Sequence, residues 1–227
     1  MYFDWTYVVI VLPCVIFAMW ASANVNSTYK KYAKVMSKSG YTSNDVVRNI
    51  LDAYGLHNVR IEHIKGDLTD HYDPKANVIR LSDTVDGSKS VAAIGVAAHE
   101  AGHAVQHATG YGPIKLRMAI IPVCNIGSTL AMPLIILGLL LSFYPLCYLG
   151  IIAFSLAAFF QLVTLPVEFN ASRRAIAILE NAQMPEEDVK ASKKVLTAAA
   201  LTYVAALAVS LANLLRFIFI VNGRRKD

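Results

Sequence analysis

The residues best suited to chemistry lie in the pentapeptide His99-Glu100-Ala101-Gly102-His103, an HExxH motif. In an α-helix, residues four positions apart share a face, so His99 and His103 can direct their imidazole nitrogens to one point. Zinc accepts such nitrogens at about 2.0–2.1 Å, and a catalytic zinc site keeps one position for water. Glu100 is placed to take a proton from that water. The motif therefore predicts His99 and His103 as zinc ligands and Glu100 as general base.

These residues also allow other interpretations. The five letters also occur by chance, and two histidines on an ordinary surface helix need no metal. His107 continues the run of histidines, but at a rise of 1.5 Å per residue it lies about 12 Å from His99 along the helix axis. The spacing also differs from HExxHxxGxxH, in which a glycine turns the chain before the last histidine. We therefore assign His107 a structural role beside the ligands.

A helix must carry the motif, and the flanking sequence supplies one. Small and apolar residues fill 91–98, Ser88 or Ser90 can cap the start of the helix, and Gly110 can end it.

The composition indicates a membrane protein. The chain has 227 residues, of which 56% are hydrophobic and 16% charged, and its mean hydropathy is +0.46. The net charge of +5 forms no basic stripe interleaved with aromatic residues, which excludes a nucleic-acid partner. The positive charge lies beside hydrophobic runs and fits a membrane surface. Three cysteines, Cys14, Cys124 and Cys147, fall in apolar runs without zinc-ligand or disulfide spacing.

The N-terminal segment 1–23 is predicted to be a transmembrane anchor. No charged residue lies between Asp4 and Lys30, and Trp5 and Trp20 fit positions at the membrane interfaces. The alternative is a cleaved signal peptide, since Ala21-Ser22-Ala23 resembles a cleavage site. A retained anchor is favoured because the first four residues contain no Lys or Arg.

The strongest membrane signal is the segment 118–167, which contains no Asp, Glu, Lys or Arg. It is about twice as long as the roughly 20 residues that one spanning helix needs. Phe143-Tyr144-Pro145 marks a turn, so we predict a transmembrane hairpin of helices 118–142 and 146–166. The segment 195–227 begins with a fourth apolar run, 195–215, and ends in a basic tail.

Charge returns at Glu168, directly after the hairpin. A carboxylate at the end of a membrane hairpin is costly unless it is paired or bound to a metal. Because the hairpin returns the chain to the face it left, near His103, we predict Glu168 as the third zinc ligand. The alternatives are an ion pair with Arg173 or Arg174, or exposure at the interface. The rest of the segment 168–194 is predicted to be helical, with a polar helix at about 185–194.

The segment 24–117 is predicted to be a small α+β region that includes the HExxH helix. A helix capped by Thr42-Ser43-Asn44-Asp45 ends at Gly55, and residues 59–62 alternate as a strand does. Residues 70–72 and 77–81 flank turn-forming residues and predict a hairpin. We predict 77–82 as the edge strand that receives an extended peptide beside the metal, with an inner, paired strand as the alternative. The remaining histidines, His57, His63 and His71, are interpreted as surface or strand residues.

Five stretches of the sequence resemble one family, the YugP-like neutral zinc metallopeptidases of bacterial membranes. The stretches are DHYDP, NVIRLSD, SVAAIGVAAHE, HEAGHAVQ and LPVEFNASRRA. The resemblance covers most of the chain and implies a membrane-embedded gluzincin-like protease, more distantly similar to HtpX-type proteases. It implies zinc ligation by His99, His103 and Glu168, with Glu100 as general base. One departure is Asn170, where the family pattern leads us to expect Asp; an amide can still form hydrogen bonds there.

Together these features predict a mostly α-helical integral membrane protein with a zincin-like HExxH helix, a small α+β segment and about four transmembrane helices. The predicted function is a zinc endopeptidase with one Zn²⁺ ion, the lipid bilayer as its environment, and peptides or membrane proteins as substrates. The alternative is a non-proteolytic scaffold or quality-control adaptor with a structural zinc.

Twelve Lys and Arg residues in 24–117 and five in 168–194 place both segments on the cytoplasmic side of a bacterial cell membrane, by the positive-inside rule. The basic tail Gly223-Arg224-Arg225-Lys226 then lies outside if the last run crosses fully, and we expect the tail to be the exception to the rule.

Overall fold

The computed structural model describes residues 5–224. One π-helical segment, Tyr7–Val11, leads into the first of six α-helices. The helices are α1 Leu12–Tyr32, α2 Ser43–Ala53, α3 Val91–Ala108, α4 Gly112–Leu140, α5 Tyr144–Asn181 and α6 Glu186–Arg224, and the strands are β1 Arg60–Ile64, β2 His71–Asp73 and β3 Val78–Ser82.

Four helical segments of the described chain are long and apolar enough to cross a membrane: Tyr7–Tyr32, Gly112–Leu140, Tyr144–Asn181 and Glu186–Gly223. The predicted mostly helical fold with about four transmembrane helices and a small sheet is confirmed. Of the predicted features, the charge-poor N-terminus up to Asp4 and the tail residues Arg225 and Lys226 lie outside the described residues.

The helix boundaries differ from the predictions. The first hairpin helix, predicted over 118–142, is α4 Gly112–Leu140. The predicted end of the second hairpin helix is residue 166, but α5 continues through Pro166 to Asn181. Proline interrupts a helix less where neighbouring structure satisfies the freed backbone groups. The polar helix 185–194 and the apolar run 195–215 are one helix, α6. No proline or glycine separates the two parts, so no residue ends the helix between them.

The described residues form two compact units. The first contains the described residues of 1–22, 115–166 and 201–227, and the second contains Ala23–Ile114 and Val167–Ala200.

Small residues allow close helix packing within the first unit. A Cβ atom added at Gly138 would lie 2.5 Å from Cys147 Sγ, and one added at Gly150 would lie 2.9 Å from the Ala131 carbonyl oxygen. Helices in membranes commonly approach at such small residues. The turn at Leu141–Phe143, with Ser142 at a φ of 53°, joins α4 to α5 at the place the sequence predicts.

The second unit contains the α+β region. Helix α2 begins with a capping box, in which the Thr42 side chain accepts from the Asp45 amide and the Asp45 carboxylate accepts from the Thr42 amide. Helix α3 begins at the Ser90 cap, whose hydroxyl accepts from the Ala93 amide at 3.2 Å.

The sheet has the strand order β1-β3-β2. Strand β1 pairs with β3 in parallel, with Arg60 opposite Val78, and β2 pairs with β3 antiparallel, with Tyr72 opposite Ile79. The hairpin of β2 and β3 confirms the prediction for 70–81. The assignment of 77–82 as an edge strand is wrong, because β3 has a partner on each side. Four of the five residues of β3 are buried, as is usual for a central strand, and the sheet edge beside α3 belongs to β2.

Candidate metal centre

Helix α3 directs both predicted histidine ligands to one point. The imidazole rings of His99 and His103 stand edge to face, with centroids 4.7 Å apart. Glu168 Oε2 lies 3.2 Å from His99 Nε2 and 3.6 Å from His103 Nε2. One donor atom from each of the three residues lies within 4.8 Å of the others. Two imidazoles and one carboxylate are a donor set that zinc accepts, so the residues fit a single ion.

Close packing of α3 against α5 brings the ligands together. A Cβ atom added at Gly102 would lie only 2.8 Å from the carbonyl oxygen of Ala171. Glycine at this position lets the two backbones approach closely, which places Glu168 of α5 next to the histidines of α3. The alanine-rich composition of α3 serves the same purpose, since its small side chains are almost all buried.

The burial of Glu168 excludes one of the two alternatives predicted for it. Its side chain is only 3% exposed, which rules out a position exposed at an interface. The Arg174 guanidinium donates from Nε to Asn170 Oδ1 at 2.8 Å.

Glu100 is buried beside the histidines and is held by the sheet. The backbone amide of Tyr72 in β2 donates to Glu100 Oε2 at 3.1 Å, a contact that the sequence did not reveal. It holds one oxygen of the Glu100 carboxylate in place. Strand β2 pairs with β3 on one side only, and the Tyr72 amide points to the other side, toward Glu100.

The local field favours positive charge at the centre. Burial by itself lowers the pKa of His103, but the carboxylates of Glu168 and Glu100 outweigh burial and raise that pKa. The same negative surroundings favour a cation between the three donor atoms.

Two further residues contact the unused ring nitrogens. Ser172 Oγ lies 3.1 Å from His99 Nδ1, and Gln106 Oε1 lies 3.0 Å from His103 Nδ1. Sequence reasoning did not single out either residue. The signals were available, since Gln106 follows His103 by three positions and Ser172 follows Glu168 by four, the spacings that put residues on one helix face.

The other histidines lie away from the three donor atoms. His107 is exposed, and its ring lies 6.1 Å from the Tyr72 ring. His63 Nε2 pairs with Asp83 at 2.6 Å, and His57 Nδ1 pairs with Asp52 at 2.9 Å. Among the described residues, only His99, His103 and Glu168 form a group suited to a metal ion.

Comparison with known proteins agrees with this chemistry. The family described as "Putative neutral zinc metallopeptidase" matches residues 7–222. The chain is 50% identical over 212 residues to the "Putative membrane protease YugP" of Bacillus subtilis (strain 168), an alignment that covers 92% of this chain and 94% of the relative. No solved structure matches the chain. The chain belongs to the neutral zinc metallopeptidase family that this match describes.

Proposed function

We propose that the protein is a membrane-embedded zinc endopeptidase in which His99, His103 and Glu168 hold one Zn²⁺ ion. The observation that carries the proposal is the convergence of the three donor atoms within 4.8 Å, with Glu100 buried next to them. Zinc, when bound, would polarise the scissile carbonyl and make water more acidic. Glu100 would accept the proton of the attacking water and deliver it to the leaving amine.

The position of Glu100 supports this role. The Tyr72 amide orients its carboxylate from the sheet side, and the charge of Glu100 contributes to the raised pKa of His103. Glu100 is therefore close to the metal ligands without belonging to the donor group itself. A general base needs this arrangement, since it must reach water next to the metal.

The alternative function is a scaffold or quality-control adaptor with a structural zinc. Structural zinc sites use four protein ligands, whereas catalytic sites use three. The donor group in the described residues has three members, and a structural site has no use for a buried base such as Glu100. Both observations favour the peptidase.

We propose that the substrates are peptides or membrane proteins and that the centre faces the cytoplasm of a bacterial cell. The location follows from the excess of Lys and Arg in the segments that carry the ligands.

The decisive experiment uses the purified full-length protein with a library of membrane-protein substrates. We expect cleavage by the zinc-loaded protein, loss of cleavage with a zinc chelator, and recovery when zinc is restored. Zinc binding without any cleavage across the library would favour the adaptor.

A further inference from the structure

A continuous chain of hydrogen bonds runs from His103 into α5. His103 Nδ1 lies 3.0 Å from Gln106 Oε1. Gln106 Nε2 donates to the Val167 carbonyl oxygen at 2.8 Å and to Asn170 Oδ1 at 3.0 Å. Arg174 Nε donates to the same Asn170 oxygen at 2.8 Å. Gln106 is fully buried. Its amide therefore has no contact with solvent and depends on these protein partners for its hydrogen bonds.

Both ends of this chain have a fixed polarity. A guanidinium can only donate, so the Asn170 atom facing Arg174 must be its oxygen. A backbone carbonyl can only accept, so the Gln106 atom facing Val167 must be its nitrogen. Each argument alone orients the Gln106 amide, and the two agree. Gln106 must then present its oxygen to His103, which requires that His103 Nδ1 carry the proton.

We propose that Gln106 is a positioning residue that fixes the tautomer and ring orientation of His103, with Asn170 and Arg174 holding its amide. A neutral histidine protonated at Nδ1 has its lone pair on Nε2. In this structure His103 Nε2 is the nitrogen on the Glu168 side, 3.6 Å from its carboxylate oxygen. The inference rests on the proposed zinc site and concerns how the chain prepares that site for the ion.

The contact made by the other histidine is less selective. His99 Nδ1 faces the Ser172 hydroxyl, which can donate or accept and therefore permits either tautomer. The amide of Gln106 cannot adapt in this way, because turning it would place oxygen against the Val167 carbonyl. The surroundings therefore fix the tautomer of His103 but leave that of His99 open.

The chain also links two ligands on different helices. Val167, whose carbonyl receives the Gln106 amide, precedes Glu168 directly in α5. Gln106 therefore ties the turn of α3 that carries His103 to the turn of α5 that carries the carboxylate. Asn170 needs only an oxygen here, so the amide found at this position serves as well as the expected carboxylate.

The test measures zinc affinity by competition with a chelator, using the full-length protein in detergent. Gln106→Met keeps the volume of the side chain but removes the acceptor for His103 and the donors to α5. We expect zinc binding about 10–100-fold weaker, the usual effect of removing a hydrogen-bond partner of a metal ligand. Asn170→Asp, which retains the oxygen, should bind zinc as the wild type does.

A matched control is Ser192→Ala. Ser192 is buried and donates to the Val91 carbonyl at 3.1 Å, so its loss also removes a buried bond to α3, near the opposite end of that helix. We expect lower thermal stability in this variant with unchanged zinc affinity. A second readout is nitrogen NMR of the metal-free protein at a pH high enough to keep the His103 ring neutral, since the carboxylates raise its pKa. The wild type should then show His103 protonated at Nδ1, and Gln106→Met a mixture of tautomers.

The outcomes separate this inference from the proposed function. Unchanged zinc affinity and an unchanged His103 tautomer in Gln106→Met would overturn the role of Gln106 alone. Wild-type protein that binds zinc no better than His103→Ala would overturn the metal site itself. If Gln106→Met fails to fold, Asn170→Leu takes its place, with weaker zinc binding expected and unchanged binding contradicting the inference.

Discussion

The Glu100 carboxylate is held by a different part of the structure from the three proposed metal ligands beside it. The histidines and Glu168 contact one another, whereas the Glu100 carboxylate accepts a bond from a strand amide. Removing the acidity of Glu100 should therefore leave the donor group intact.

We expect Glu100→Gln to bind zinc with wild-type affinity and to lose peptidase activity by a factor of about 10²–10⁴, the usual contribution of a general base. The measurements are metal content and the cleavage rate of any substrate found by the library experiment. Activity close to that of the wild type would remove Glu100 from the mechanism.

Substitution of Glu168 is expected to change the zinc content of the protein. Glu168→Ala should sharply lower zinc content, because the carboxylate lies between the two imidazoles, whereas His107→Ala should lower it far less. Metal analysis of the two purified variants checks this. The reverse order would make His107 the ligand.

At the scale of elements, the approach of α3 to α5 depends on Gly102. We expect Gly102→Ala to destabilise the protein by about 1–3 kcal/mol, a typical cost of overpacking, because the new methyl group meets the Ala171 carbonyl. Thermal unfolding of the metal-free protein measures this. Gly112→Ala, where a Cβ atom meets nothing within 4 Å, is the matched control and should unfold near the wild-type temperature.

The capping box of α2 predicts a pH dependence. Hydrogen bonds from the Thr42 side chain and amide hold the pKa of Asp45 below its ordinary value of 3.8. A carboxyl with a lowered folded-state pKa stabilises the fold above its unfolded pKa, and the contribution disappears as the pH falls through the folded pKa. We expect Asp45→Asn to lose this part of the acid dependence, as measured by unfolding between neutral pH and the acid range. An identical pH profile in the variant and the wild type would contradict the prediction.

At the scale of the whole molecule, the proposed topology can be tested by labelling single cysteines in intact cells, on a background in which the three native cysteines are replaced. We expect Lys89→Cys to be protected from a membrane-impermeant reagent and a cysteine after Gly223 to be labelled. Labelling at position 89 from outside would overturn the cytoplasmic location of the centre.

The sequence predicted the parts of the molecule that depend on local pattern. The HExxH spacing, the Ser90 cap and the charge-free hairpin identified α3, its start and the return of the chain to Glu168. The strand order was not predictable in this way, because the apolar pattern of 78–81 fits an inner strand as well as an edge. The contact of Tyr72 with Glu100 depends on that order and was missed for the same reason.

The two histidines of α3 reach their carboxylate partner across a long stretch of chain, since Glu168 lies 69 positions after His99. The apolar hairpin is synthesised between them. A nascent chain therefore carries the complete HExxH sequence before its third proposed ligand exists, and any product truncated within the hairpin has an incomplete donor set. Synthesis order thus delays assembly of the proposed three-residue donor group until both helices of the hairpin have been made.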